Sequence, residues 1–173
     1  MALRQILTEP NKILREKSLP VETVDVDMQK LMDDMLETMY AAPGIGLAAI
    51  QIGVPKRVIV LDIDQKEGQK KPLFFVNPEI IKKSKNLSTY EEGCLSVPGE
   101  LGEVTRSAKV TMKYMDLDGQ EHTVDADGLK AVALQHECDH LDGKLFVDYL
   151  SRLKRNVIRR RMNKLKAERA TGT

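Results

Sequence analysis

Apolar residues recur every three or four positions along DVDMQKLMDDMLETMYAAPG (25–44). Met28, Leu31, Met32, Met35, Leu36 and Met39 form one stripe, with Asp and Glu on the opposite side. This is a helical period, because residues three and four apart share a face of a 3.6-residue turn. Asp25 or Asp27 can cap the helix and Pro43-Gly44 ends it, and its methionines are core-packing residues. From residue 57 the period shortens towards two. RVIVLDI (57–63), LFFVNPEII (73–81), KVTMKYMD (109–116) and QEHTVDAD (120–127) are rich in branched and aromatic residues and broken by turn-forming pairs, which predicts strands. Helical spacing returns in DGLKAVALQHECDHLDG (127–143), with Asp127 as cap and Gly143 as stop. A last helix over about 149–168 has Leu150, Leu153, Val157, Ile158, Met162 and Leu165 on one face and basic residues elsewhere. The pattern predicts an α+β fold: mixed or antiparallel sheets packed around a central helix, with an amphipathic helix before them and a C-terminal helix after.

A chain of 173 residues supports one domain with its own core. No apolar run approaches the roughly 18 residues that span a bilayer. Charges are scattered through MALRQILTEPNKILREKS, so a secretory leader is not expected. Two cysteines make no disulfide framework. These features lead us to expect a cytoplasmic protein, and a monomer is the default. The net charge of +1 is unevenly spread: residues 151–173 hold nine Lys or Arg against one acid, a net +8, which leaves −7 on residues 1–150. A mildly acidic body (1–150) with a basic helical extension (151–173) suggests two separate jobs.

The central helix carries the chemistry. His136 and His140 lie four residues apart, so both imidazoles project from one face and can grip a single metal. Glu137 sits about 100° round the helix, where it can serve a reacting water without being a ligand, which is the logic of H-E-x-x-H. The helix is apolar on nearly every side, and a buried His pair beside a buried Glu is costly unless a cation partners it. A hydrolytic metal usually takes three protein ligands and keeps one open position. Downstream of His140 the acids are Asp142, too near in sequence, Asp148, and Glu168 in the basic tail. The third ligand is therefore sought upstream, at Cys94 in EEGCLSVPG, where the flanking Gly and Pro predict irregular, exposed backbone. Cys138 points about 200° from His136 and is expected to pack, and His122 is expected to face solvent.

Three stretches, GIGLAAIQIG (44–53), EEGCLS (91–96) and QHECDHLDG (135–143), resemble in sequence and order the signature motifs of the peptide deformylases. The resemblance extends from the N-terminus to about residue 168. It implies a metal-dependent hydrolase that removes the formyl group from the N-terminal formyl-methionine of nascent polypeptides and releases formate. It implies that Cys94, His136 and His140 hold the metal and that Glu137 is the general base. Gln51 and the Leu95 backbone N–H would stabilise the oxyanion. The peptide would lie extended against Ile45, Gly46 and Gly93. Its methionine side chain would enter an apolar pocket formed by Ile45, Tyr90, Leu129, Val132 and Ala133, with Glu92 near the rim. The resemblance also implies Fe(II) as the working ion, replaced by zinc, nickel or cobalt in purified protein, and a ribosomal docking site for the basic tail. The sequence departs from the family around Leu101, where a second arginine is common, and at Tyr90, where smaller aliphatics are common. Arg106 matches a basic position of the family.

Overall fold

The computed structural model describes residues 2–65 and 68–172. The first helix, α1 (Val26–Ala41), is capped by Asp25, whose side chain accepts from the Met28 N–H at 2.8 Å. It buries the predicted face of Met28, Leu31, Met32, Met35 and Met39. Beneath it lies an antiparallel sheet formed by β1 (Gly46–Ala48), β2 (Val58–Leu61), β3 (Leu73–Lys83), β6 (Lys109–Met115) and β7 (Glu121–Asp127), in the spatial order β1-β2-β3-β6-β7. The remaining strands, β4 (Leu87–Cys94) and β5 (Val97–Ser107), pair only with each other among the described residues. Between the sheet and this hairpin runs α2 (Gly128–Leu141), which buries Ala131 to Glu137, His140 and Leu141. Helix α3 (Arg152–Ala170) follows a short 3-10 turn, Phe146–Tyr149.

The sheets are antiparallel and α2 is central, as the sequence pattern predicts. Two expectations need correction, and one motif gains a place in the fold. EEGCLSVPG is not irregular exposed backbone: it is the end of a β-hairpin, with Val97 and Ser96 fully buried. Pairing shifts from Gly93 opposite Leu101 to Cys94 opposite Val97, so the extra residues bulge out of β5 while β4 runs on to the cysteine. GLA (46–48), read from sequence only as part of a glycine-rich motif, is the sheet's edge strand. Finally, the apolar face of the last helix is narrower than its sequence implies. Leu150 precedes α3, Leu153 is 75% exposed, and within α3 only Ile158 and Met162 are buried. These two close a cluster with Val97, Val104, Leu145, Phe146 and Leu150, so α3 is seated by one stripe and leaves its basic faces in solvent.

Candidate metal centre and its cleft

Helix α2 presents His136 and His140 on one face, with their Nε2 atoms 3.2 Å apart. The Cys94 Sγ arrives from the end of β4, 3.4 Å from His140 Nε2. Ligand atoms of the three residues lie within 4.8 Å of one another, and both histidines are buried. Two imidazole nitrogens facing at this distance cannot both carry a proton, so the arrangement suits a shared cation. Burial disfavours a charged His136, but hydrogen bonds to Cys94 and Glu92 outweigh it and raise its pKa well above the imidazole range. Burial and the charge on His136 push His140 well below that range. One thiolate donor with two imidazoles matches a borderline divalent ion such as zinc or iron(II). The residues present therefore fit the metal that the motif calls for.

Glu137 lies next to this triangle, and its Oε2 is buried without a hydrogen-bond partner among the described residues. Burial pushes its carboxyl up to about 7, beyond what the positive charges of His136 and Arg106 offset. The carboxylate has room because residue 46 is glycine: a Cβ there would stand 2.7 Å from Glu137 Oε1 and 2.8 Å from Leu61 Cδ2. Close approach explains this glycine, and a positive φ is not involved.

Behind His136 lies a buried chain of charges. Glu92 Oε1 accepts from His136 Nδ1 at 2.9 Å and from Arg106 Nη2 at 3.0 Å, and its Oε2 accepts from Arg106 Nε at 2.8 Å. Arg106 Nη1 donates to Asp139 at 2.8 Å, and the Tyr149 hydroxyl donates to the same oxygen at 2.7 Å. The guanidinium also sits 4.8 Å above the Tyr149 ring. Such partners fix the orientation of a ligating imidazole. Burial raises the Glu92 carboxyl, but His136 and Arg106 outweigh it and hold it below the usual range. Sequence reasoning did not foresee Asp139, Tyr149 or the role of Arg106. Glu92, expected near the pocket rim, does line the cleft, but it is only 6% exposed and its carboxylate is engaged by Arg106 and His136. The two-residue period of β4 was the available signal, since it puts Glu92 on the same face as Cys94.

Gln51 lies in a 3-10 turn, Ala49–Ile52, just after β1. Its Oε1 accepts from the Ala48 N–H at 2.9 Å, and its Nε2 donates to Ser96 Oγ at 3.0 Å and loosely to Cys94 Sγ at 3.5 Å. A cleft of about 730 Å³ opens above the metal triangle. Gln51, Leu95, Cys94, His136 and Glu137 line it, together with Ile45, Gly46, Tyr90, Glu92, Gly93, Leu129, Val132 and Ala133. His140, fully buried, is the one predicted site residue that does not line it. Val132 and Ala133 are buried, while Ile45 and Leu129 are 43% and 45% exposed. The second cysteine and the third histidine lie outside the cleft lining. Cys138 packs with its sulfur 3.9 Å from Met112 Sδ, its thiol pushed by burial up to about 12. His122 is on the exposed side of β7, paired with Asp116 and stacked on Tyr114.

The profile of the family described as Polypeptide deformylase matches residues 3–156. The chain is 55% identical to the peptide deformylase of Pelagibacter ubique over 98% of both chains. It is 54% identical to that of Rhizobium meliloti over 95% of this chain and 94% of the other. Among solved structures, the peptide deformylase of Legionella pneumophila superimposes with a TM-score of 0.90 at 48% identity, covering 98% of each chain. That of Ehrlichia chaffeensis in complex with actinonin gives 0.90 at 41% identity, covering 95% of this chain and 98% of the other. Sequence motifs, fold and relatives agree: the chain belongs to the polypeptide deformylases, metal-dependent hydrolases that remove the N-formyl group from nascent peptides.

Proposed function

We propose that residues 1–150 form a deformylase domain in which Cys94, His136 and His140 hold Fe(II), with zinc, nickel or cobalt able to take its place. The observation that carries this reading is the Cys-His-His triangle beside a buried, unpartnered carboxylate oxygen of Glu137. The bound ion supplies Lewis acidity, which makes water nucleophilic near neutral pH. Glu137 takes the proton from the attacking water and later returns it to the leaving amine, a task suited to a carboxyl whose pKa lies close to 7. As charge builds on the formyl oxygen, the Leu95 backbone N–H and the loosely held N–H of Gln51 donate to it. The peptide lies extended between two strand edges bordering the cleft, Ile45–Gly46 at the start of β1 and Gly93 in β4, in the manner of strand addition. Its methionine side chain enters between Val132 and Ala133, with Tyr90, Ile45 and Leu129 around the mouth and Glu92 behind, positioning His136. The actinonin-bound relative makes that compound a natural competitor at this cleft.

The test is formate release from formyl-Met-Ala-Ser by anaerobically prepared protein of known metal content, with an unformylated, end-blocked peptide as control. Formate without new internal amines is expected, with the highest turnover in iron-loaded protein. No formate from metal-replete protein would refute the reading.

We further propose that the cytoplasmic monomer docks on ribosomal RNA through residues 151–173. The support is the tail's net charge of +8 and the exposure of Arg160, Lys164 and Lys166. Because Ile158 and Met162 close a core cluster, replacing these three by Gln is a cleaner test than truncation. Ribosome affinity should fall, with the log-log salt slope shrinking by roughly 0.7–0.9 for each phosphate that is no longer neutralised, while tripeptide turnover persists. Unchanged ribosome binding would reject the docking site.

A further inference from the structure

The cleft wall that carries Gly44, Ile45 and Gly46 is held in place from behind by the segment following β2. Gly44 is fixed at its N–H, which donates to Met39 O at the end of α1 at 2.8 Å. Its carbonyl oxygen accepts from the side chain of Gln65, at 2.9 Å from Nε2. The same Nε2 donates to Asp62 O at 2.8 Å, and the Asp62 N–H donates to Ile45 O at 2.8 Å. Asp62 is fully buried, and its carboxylate organises the segment: it accepts from the Tyr40 hydroxyl, from the Lys71 N–H at 2.9 Å and from the Asp64 N–H at 3.3 Å. Lys70 lies over the Tyr40 ring at 4.3 Å. An exposed side chain, Gln65, thus bridges the buried Asp62 centre and the cleft wall through two backbone carbonyls.

We propose that Gln65 is a positioning residue for the peptide. By donating to Gly44 O and Asp62 O, it holds the Gly44–Gly46 edge at the height on which an extended substrate pairs. This rests on the strand-addition reading given above. Only the donor chemistry of the amide matters here, since both partners are carbonyl oxygens. Gln65 does not line the cleft and stands apart from Glu137 and the metal triangle, so its loss weakens peptide binding and leaves the chemical step alone.

The experiment compares full-length, metal-loaded Gln65→Ala, Gln65→Glu and Gln65→Lys proteins on formyl-Met-Ala-Ser and on N-formylmethionine amide. Loss of one or two hydrogen bonds behind the wall corresponds to roughly a threefold to tenfold rise in KM. That rise is expected for the tripeptide in the Ala variant and in the isosteric but donor-less Glu variant, with kcat within twofold of wild type. Gln65→Lys keeps donors and restores KM. The short amide, which has no chain to pair beyond its methionine, shows little change in any variant. Wild-type KM in the Ala and Glu variants overturns the proposal, and so does a fall in kcat shared by both substrates. If wild-type protein released no formate at all, the deformylase reading itself would have failed instead.

Discussion

Replacing Arg106 with Leu tests whether the charge chain behind His136 orients the metal site. Arg106 is only 6% exposed, and Glu92 takes its Nε and Nη2 on separate oxygens. The leucine would leave the Glu92 carboxylate buried with His136 as its one remaining side-chain partner among the described residues. Removing one member of a buried pair costs about 3–5 kcal/mol, because the other charge is left uncompensated. His136 keeps donating, so the expected loss is near the lower end, about 3 kcal/mol. For a chain of this length each kcal/mol lowers the melting temperature by roughly 2–4 °C, so a drop of roughly 6–12 °C follows. The metal feels the change separately: losing the groups that orient a ligating imidazole costs roughly 10–100-fold in affinity. Urea unfolding at neutral pH measures the first quantity and competition against a chelator the second. A double variant, Arg106→Leu with Glu92→Gln, removes the stranded charge while keeping an amide oxygen for His136 Nδ1–H, and it should regain at least half of the lost stability. A loss below about 1 kcal/mol together with a wild-type chelator titration would refute the argument, because a buried carboxylate cannot lose a bidentate partner at no cost.

Three other outcomes follow from the same geometry. Glu137→Gln keeps the shape beside the metal triangle but removes the proton acceptor, so kcat should fall by about 10²–10⁴ while metal content, read by elemental analysis, is unchanged. Gly46→Ala places a methyl 2.7 Å from Glu137 Oε1 and 2.8 Å from Leu61 Cδ2. It should therefore displace the carboxylate and lower kcat by roughly tenfold or more, on the scale of a misplaced catalytic group. Wild-type turnover would show that the wall moves aside. Far from the site, burial raises the Asp34 carboxyl, but Arg4, which binds it through Nε and Nη2 at 3.0 and 2.9 Å, and the Ala2 N–H outweigh that effect and hold it below the usual range. A depressed folded pKa contributes stability above the unfolded value, near 3.8, and that stability disappears as pH falls through the folded one. Asp34→Asn should therefore lower stability at neutral pH and flatten the acid limb of a urea-midpoint profile below about pH 4; an acid limb as steep as wild type would count against this assignment.

How far the sequence reveals this site depends on the range of each interaction. The α1 stripe and the His136–His140 pair are legible because a helix fixes its own faces within four residues, and no distant partner is needed to say which side chains converge. The third ligand emerges by elimination and resemblance, since nothing local in β4 says that its end meets α2. The backbone there departs from its local reading for a physical reason. Gly93, Pro98 and Gly99 are turn residues by propensity, yet the hairpin keeps its ladder by shifting register at Gly93, and tertiary pairing overrides the local preference. Arg106, Asp139 and Tyr149 stay hidden because they act through other residues: each is an ordinary charged or aromatic position until β5, α2 and the turn before α3 are brought together. The same holds for Gln65, an exposed amide in a polar stretch whose two acceptors lie on backbone carbonyls at residues 44 and 62. In this chain the groups proposed to do chemistry are visible as spaced motifs. The groups that hold them at the right height and angle become visible only when the strands and helices meet, and the Arg106 and Gln65 variants test them there.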